Sequence, residues 1–475
     1  MKLLLVTVFF SLLFTVSVFA NTPAFIIDEA TGRRIPIPMT YEFVGMIRNL
    51  GSVDNIMSHP EDIHIDQWNN IFIADTGNNR IIKADIEGNV LKEIAYADGM
   101  SLNRPRGIFV DEYDIIWIAD TGNQRIVTIY PGGTDRQTFV RPDSPLLGDT
   151  FTFDPARIWV NDARQIFILR GTELFSIDEN NNFRGFIGAR EVGFSLTRTL
   201  IRTFGTQAQR DRTLRQIPDA YSSFVIGANG MIYGTLQNAY DDQIRRLNIQ
   251  GRNTFPAGVY GEVSPGRRTA PNLSDIHVND IGIVTVIDEI TGRIFQYDQE
   301  GNLIMAFGAL GSVQGTFSIP VAIDFDSNGY LYVLDFSSNM IQIFRPTLFL
   351  RSIHQAIYHF NEGRYAESTA YWETVLGIHA NYALAHRGLA NVFIREHEWE
   401  LAMHSFLAAG DRVGYSRAFN HVRHQIFRDY FFFIVIGVFA GLYGFVKLFV
   451  FLKRKSDALA FYIIYGRRPG DDVIS

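Results

Sequence analysis

Ile73-Ala74-Asp75-Thr76-Gly77-Asn78-Asn79-Arg80-Ile81 returns forty-five residues later as Ile118-Ala119-Asp120-Thr121-Gly122-Asn123-Gln124-Arg125-Ile126. Self-similarity at such a period marks a stacked or ring-like architecture, because each unit is too small to bury its own hydrophobic face. Aligning on the pair exposes a second recurring element, a seven-residue frame Pro-x-x-Ile-x-(Val/Ile/Phe)-(Asp/Asn). It occupies 60–66, 105–111, 155–161, 273–279 (with Leu273 for the proline) and 320–326, with a degenerate copy at 221–227. Turns such as Asn69-Asn70, Asn229-Gly230 and Asn328-Gly329 follow the frames, and then apolar stretches such as Ile71-Phe72-Ile73 and Leu331-Tyr332-Val333-Leu334. That is the pattern of β-hairpins.

Repeats of about 45 residues, each with four strands' worth of chain, predict the blades of a β-propeller. The quoted motifs resemble NHL repeats, the resemblance spanning 25–346, and six inner strands imply six blades. Within the doubled motif, Gly77 and Gly122 are expected at the positive-φ turn position, and Asn78 and Asn123 tolerate left-handed backbone. Arg80 and Arg125 are expected to fold back on Asp75 and Asp120, stapling the hairpin. Segment 288–293 keeps that Asp-to-Arg spacing in Asp288 and Arg293, Asp335 meets Met340 instead, and Arg170-Gly171-Thr172 in the third blade has lost the staple. Segment 28–33 echoes 288–293, so the N-terminus is expected to supply outer strands for the blade begun at Pro320, joining the ring and hiding a sheet edge.

The termini set the expected compartment. Lys2, the apolar run 3–16 and the small residues before Asn21 read as an export signal peptide over 1–20. Near the other end, 430–452 is apolar with Lys447 as its one charge, enough at ~1.5 Å per residue to cross a ~30 Å hydrocarbon core. Lys453, Arg454 and Lys455 follow at once, which fits a cytoplasmic tail over 453–475 and an extracytoplasmic bulk. Glycines 437, 441 and 444 offer a small-residue face through which such helices dimerise. With no cysteine, neither disulfides nor thiolate metal sites contribute. A formal charge of −7 and a pI near 5.9 lack the basic surface that nucleic-acid binding requires.

Between propeller and span, from 348 to 425, strand alternation gives way to helical spacing. Tyr365, Ser368 and Trp372 are matched thirty-four residues on by Trp399, Ala402 and Phe406. That period resembles tetratricopeptide repeats over 353–419, which implies a protein-binding surface and a second route to a dimer. The expected fold is an all-β six-bladed propeller (21–347) plus a small all-α helical-repeat domain and one transmembrane helix.

The inner strands carry the candidate chemistry. Frame position five carries His64, His277 and Asp324 in three contiguous blades, two imidazoles and a carboxylate that would suit a divalent metal open to water. Phe109 and Trp159 at the same register point to a packing slot as its default use, which leaves the metal as the alternative. Position three carries Asp62, Gly107, Arg157, Ser223, Asp275 and Ala322, a polar mouth of which Asp62, Arg157 and Asp275 are the candidate binding residues. Neither a Gly-x-Ser-x-Gly nucleophile elbow nor a phosphate-cradling loop is present. The connection between blades three and four is unusually long, and 190–215 carries Arg198, Arg202 and Arg212 among six arginines, suited to an anionic partner.

Together these features lead to the expectation of a membrane-tethered extracytoplasmic binding or scaffold protein, with no cofactor and with a protein or glycan partner. The alternatives are a metal-dependent gluconolactonase-like hydrolase or lyase, and an accessory subunit of a transport or envelope complex.

Overall fold

The computed structural model describes residues 22–28, 31–52, 55–133, 136–188, 220–262 and 270–465. The expected signal segment and the arginine-rich stretch with Arg198, Arg202 and Arg212 lie outside them.

Six blades radiate from a common axis. The first is Asp62–Ile65, Ile71–Asp75, Arg80–Ala84 and Val90–Ile94 from the inside out, each strand antiparallel to the next. Blades two and three repeat this four-strand order, beginning at Pro105–Val110 and Pro155–Val160. Blade four has three strands from Tyr221–Ile226, with a single bridge from Leu247 to Asn253 where a fourth would lie.

The second strand of a blade is sandwiched between neighbouring blades, so its sequence is a continuous apolar run rather than an alternation. Ile71–Asp75, Val284–Asp288 and Leu331–Asp335 are buried at every position. Consequently the cores lie between blades: Ile63, Ile73 and Ile82 of blade one pack with Ala322, Leu334 and Ile341 of blade six, and Phe109 and Trp117 of blade two with Ile158 and Ile168 of blade three.

Ring closure follows expectation in that the N-terminus completes the blade begun at Pro320, but a different segment supplies the strand. Tyr41–Arg48 is the outer strand of blade six, pairing with Met340–Pro346. The echo segment 28–33 is instead the turn of an added hairpin, Phe25–Ile27 and Arg34–Pro36, that extends blade five through Phe25 opposite Ala306. Both blades thereby gain N-terminal strands, which protects two edges rather than one.

The doubled motif is also corrected in part. Residues 76–78 and 121–123 form single 3-10 turns, and the left-handed residues are Asn79 and Gln124, at φ 55° and 56°. Gly77 and Gly122 are required for close approach instead, since a Cβ on them would meet the Ser58 carbonyl oxygen at 2.5 Å and the Asn103 carbonyl oxygen at 2.6 Å. The staples themselves form as expected, Arg80 Nε donating to Asp75 Oδ2 and Arg125 Nε to Asp120 Oδ2, each at 2.7 Å. Arg293 does not follow them: its guanidinium bonds Glu262, and Asp288 is served by Thr291, Asn272 and Ile290.

Helix α1 (Leu348–Asn361) groups with the propeller. Its Leu350, Ile353 and Ala356 are fully buried, and His354 Nε2 lies 3.0 Å from Gln296 Oε1, which links it to Tyr41 and Thr285. Helices α2 (Tyr365–Ile378), α3 (Ala383–Arg395), α4 (Trp399–Ala408) and α5 (Arg412–Tyr465) make up the second unit. The matched positions Trp372 and Phe406 play equivalent parts, each pressed against a glycine, Gly388 and Gly414, where a Cβ would clash at 2.3 Å. Helix α5 is 54 residues without a break, ~80 Å long. It begins packed, with Ala418 against Ala402 and Phe406, and continues as exposed apolar helix. Among the described residues it is the one helix long and apolar enough to cross a membrane.

Candidate functional site

The inner strands position the site through a shared irregularity. In blades two to six the pairing register shifts between frame positions one and three, at Pro105/Gly107, Pro155/Arg157, Tyr221/Ser223, Leu273/Asp275 and Pro320/Ala322. A bulge there re-aims the side chain that follows it. Position three, next to this irregularity, carries Arg157, Ser223 and Asp275 in blades three to five, with Asp62 at the same position of blade one.

The structure brings Asp62, Arg157 and Asp275 together. The Arg157 guanidinium crosses from blade three to bond Asp62 of blade one and lies 3.5 Å from Asp275 Oδ1 of blade five. The carboxylates also stitch the ring. Asp62 Oδ2 accepts the Ile108 N–H at 2.9 Å, and Asp275 accepts the Ile323 N–H at 2.9 Å and the Ser223 hydroxyl at 2.7 Å. Burial pushes the Asp62 carboxyl up to about 7, against the opposing pull of Arg157. The cluster spans the axis between blades one, three and five and, with His64, His277 and Asp324, lines a cavity of about 200 Å³ at the waist of the ring. Arg157 itself lines a polar cleft of about 190 Å³ on the face of the inter-blade connections, with Glu61, Arg106 and Glu289.

On the other side of the waist, His64, His277 and Asp324 converge as the register predicted. His64 Nδ1 is 3.5 Å from Asp324 Oδ2, and His277 Nε2 is 3.5 Å from Asp324 Oδ1. Burial holds both imidazoles down at about 4 and pushes the Asp324 carboxyl up to about 8, so at neutral pH the trio is largely uncharged. Asp324 is also a ring stitch, accepting the Ile65 N–H of the next blade at 2.7 Å and the Phe325 N–H at 2.8 Å. His64 Nε2 faces the Val110 carbonyl at 3.2 Å, and His277 Nδ1 is buried with no partner among the described residues. The donor set has the right chemistry for a divalent ion, though Asp324 would first have to lose its proton. Among the described residues no group of three His, Cys, Asp or Glu has the spacing of a metal site.

Above the trio opens a funnel of about 580 Å³, formed by the first hairpin turns of blades one to five. Phe109 and Trp159 line it with ring centroids 4.6 Å apart, and His64 lies against Phe109 at 5.2 Å. Sequence reasoning treated Phe109 and Trp159 as packing and missed the rim, where Asp111, Glu112, Asp162 and Asp280 stand with Arg164. The turn residues directly after each frame held that signal.

No protein-family model matches the chain, and no curated protein matches it. Among solved structures it is similar to a virginiamycin B lyase from Staphylococcus aureus, at 13% identity over 64% of this chain and 100% of the other, with a TM-score of 0.41. A gluconolactonase from Xanthomonas campestris is similar at 11% identity over 68% of this chain and 95% of the other, with a TM-score of 0.43. Likeness at that level carries nothing about this chain's chemistry, which rests on its own residues.

Proposed function

We propose that the chain is a membrane-tethered extracytoplasmic binding protein, its propeller and helical repeats held at a bilayer by α5. The observation that supports this reading is the ion cluster that spans the waist of the ring. The polar side chains that meet there, Asp62, Arg157 and Asp275, compensate one another and stitch neighbouring blades, which suits a rigid platform better than a through-channel for turnover. Such a platform can vary its rim residues without disturbing blade packing. The expected NHL-like and tetratricopeptide-like surfaces belong to this proposal, with a protein or glycan partner outside the membrane.

The full-length chain carrying a C-terminal tag tests it. The protein is expected to stay in the membrane pellet through an alkaline wash, and protease added to intact cells is expected to degrade the propeller while sparing the tag. A chain that washes off, or a propeller that resists while the tag is cut, overturns the reading.

A second reading, a metal-dependent hydrolase or lyase, is favoured by the convergence of His64 Nδ1 and His277 Nε2 on one carboxylate. Metal analysis of the purified full-length protein separates the two. A stoichiometric divalent ion lost in His64→Ala/His277→Ala supports the enzyme, and a metal-free protein removes it.

A further inference from the structure

The funnel has a division of charge that points to a ligand class. Its depth is aromatic. Phe109 is buried and Trp159 half-buried, their ring centroids 4.6 Å apart, with the His64 ring 5.2 Å from Phe109. Its rim is acidic, with Asp162 and Asp280 exposed on the turns of blades three and five. The one permanent cation among the lining residues, Arg164, is already committed, 3.0 Å from Asp111 and stacked over Tyr113 at 5.0 Å. Rim charge is therefore left without a counter-ion from the funnel itself.

Resting on the binding reading above, we propose that this funnel binds a small organic ammonium ion, its apolar body against Phe109 and Trp159 and its charged head between Asp162 and Asp280. The volume, about 580 Å³, lies within the range of pockets that enclose small organic ligands. Aromatic walls supply area and stacking for the body, while exposed carboxylates supply attraction that is modest per pair and weakened by salt. A neutral ligand of the same shape gains only the first of these. An anionic ligand meets the rim as repulsion.

Titration calorimetry on the purified full-length protein, with 2-phenylethylammonium as probe and 2-phenylethanol as its neutral counterpart, tests the assignment. The ammonium ion is expected to bind at least about fivefold tighter than the alcohol at low salt, with the gap narrowing as salt rises. Asp162→Asn/Asp280→Asn, a change confined to exposed side chains, is expected to erase that gap. Trp159→Leu is expected to weaken both probes about tenfold. Equal affinity for the two probes, no binding of either, or an ammonium preference that survives Asp162→Asn/Asp280→Asn overturns the proposal. A metal-free, membrane-retained protein that fails with both probes loses this assignment alone, whereas a stoichiometric metal at His64 and His277 removes the binding reading beneath it.

Discussion

Arg157→Met is expected to destabilise the propeller by about 3–5 kcal/mol at pH 8, the usual cost of removing one partner from a buried ion cluster. The side chain is 16% exposed and its partners Asp62 and Asp275 are 6% exposed, so water does little to compensate either carboxylate once the guanidinium is gone. The penalty should depend on pH, in a direction that the carboxyls fix. Burial already holds Asp62 up at about 7, far above the ~3.9 of an unfolded chain. A carboxyl raised in the folded state contributes stability that is full below its unfolded value and is lost as pH rises through its folded value. Loss of the positive charge drives the folded value of Asp62 higher still, so variant and parent should differ least near pH 5, where the Asp62 carboxyl is protonated in the fold, and most near pH 8. Denaturant melts at the two pH values check this. Adding Asp62→Asn and Asp275→Asn should recover most of the loss, and a penalty that is the same at both pH values would contradict the account.

The parts of this site that were legible in the sequence are those governed by local period. The frame gave the inner strands, the turn after it, and the shared register that groups Asp62 with Arg157 and Asp275, and His64 with His277 and Asp324. What stayed hidden depends on neighbours in space. The carboxylates look like free site residues in a linear reading, yet Asp62 spends an oxygen on Ile108, 46 residues away, and Asp324 spends one on Ile65, 259 residues away across the ring closure. The first separation is the repeat length plus one. An acid at position three can therefore reach the backbone of position four in the next blade, a relation that aligned repeats contain but do not announce. Arg293 went astray for a similar reason: its spacing from Asp288 is right, but Glu262, on a connection with no place in the repeat, takes its guanidinium. The glycine of the doubled motif was misassigned because positive φ and close approach leave the same mark in a sequence, and only the packing against Ser58 and Asn103 distinguishes them.

The staple offers a prediction whose strength is its asymmetry. Asp75 is fully buried and accepts from the Ser58 N–H at 2.7 Å, from Asn78 Nδ2 at 2.9 Å and from Arg80 Nε at 2.7 Å. Asp75→Ala takes from the Arg80 guanidinium, 2% exposed, its fully buried counter-ion, while the pair to Glu93 at the blade's edge remains. A buried cation stripped of its main counter-ion costs about 3–5 kcal/mol, and two further donors lose their acceptor with it. Arg80→Met should be far milder, about 1–2 kcal/mol. Blade six already shows why: Asp335 faces Met340 and satisfies its carboxylate without a guanidinium, accepting from the backbone N–H groups of Ser318, Ile319, Ser337 and Ser338. The carboxylate organises the turn and the arginine covers it, so the acid is the member that a blade cannot lose. Paired melts of Asp75→Ala and Arg80→Met decide the matter, and an arginine substitution as damaging as the aspartate one would show that the ion pair, and not the carboxylate's hold on the backbone, is what fixes the hairpin.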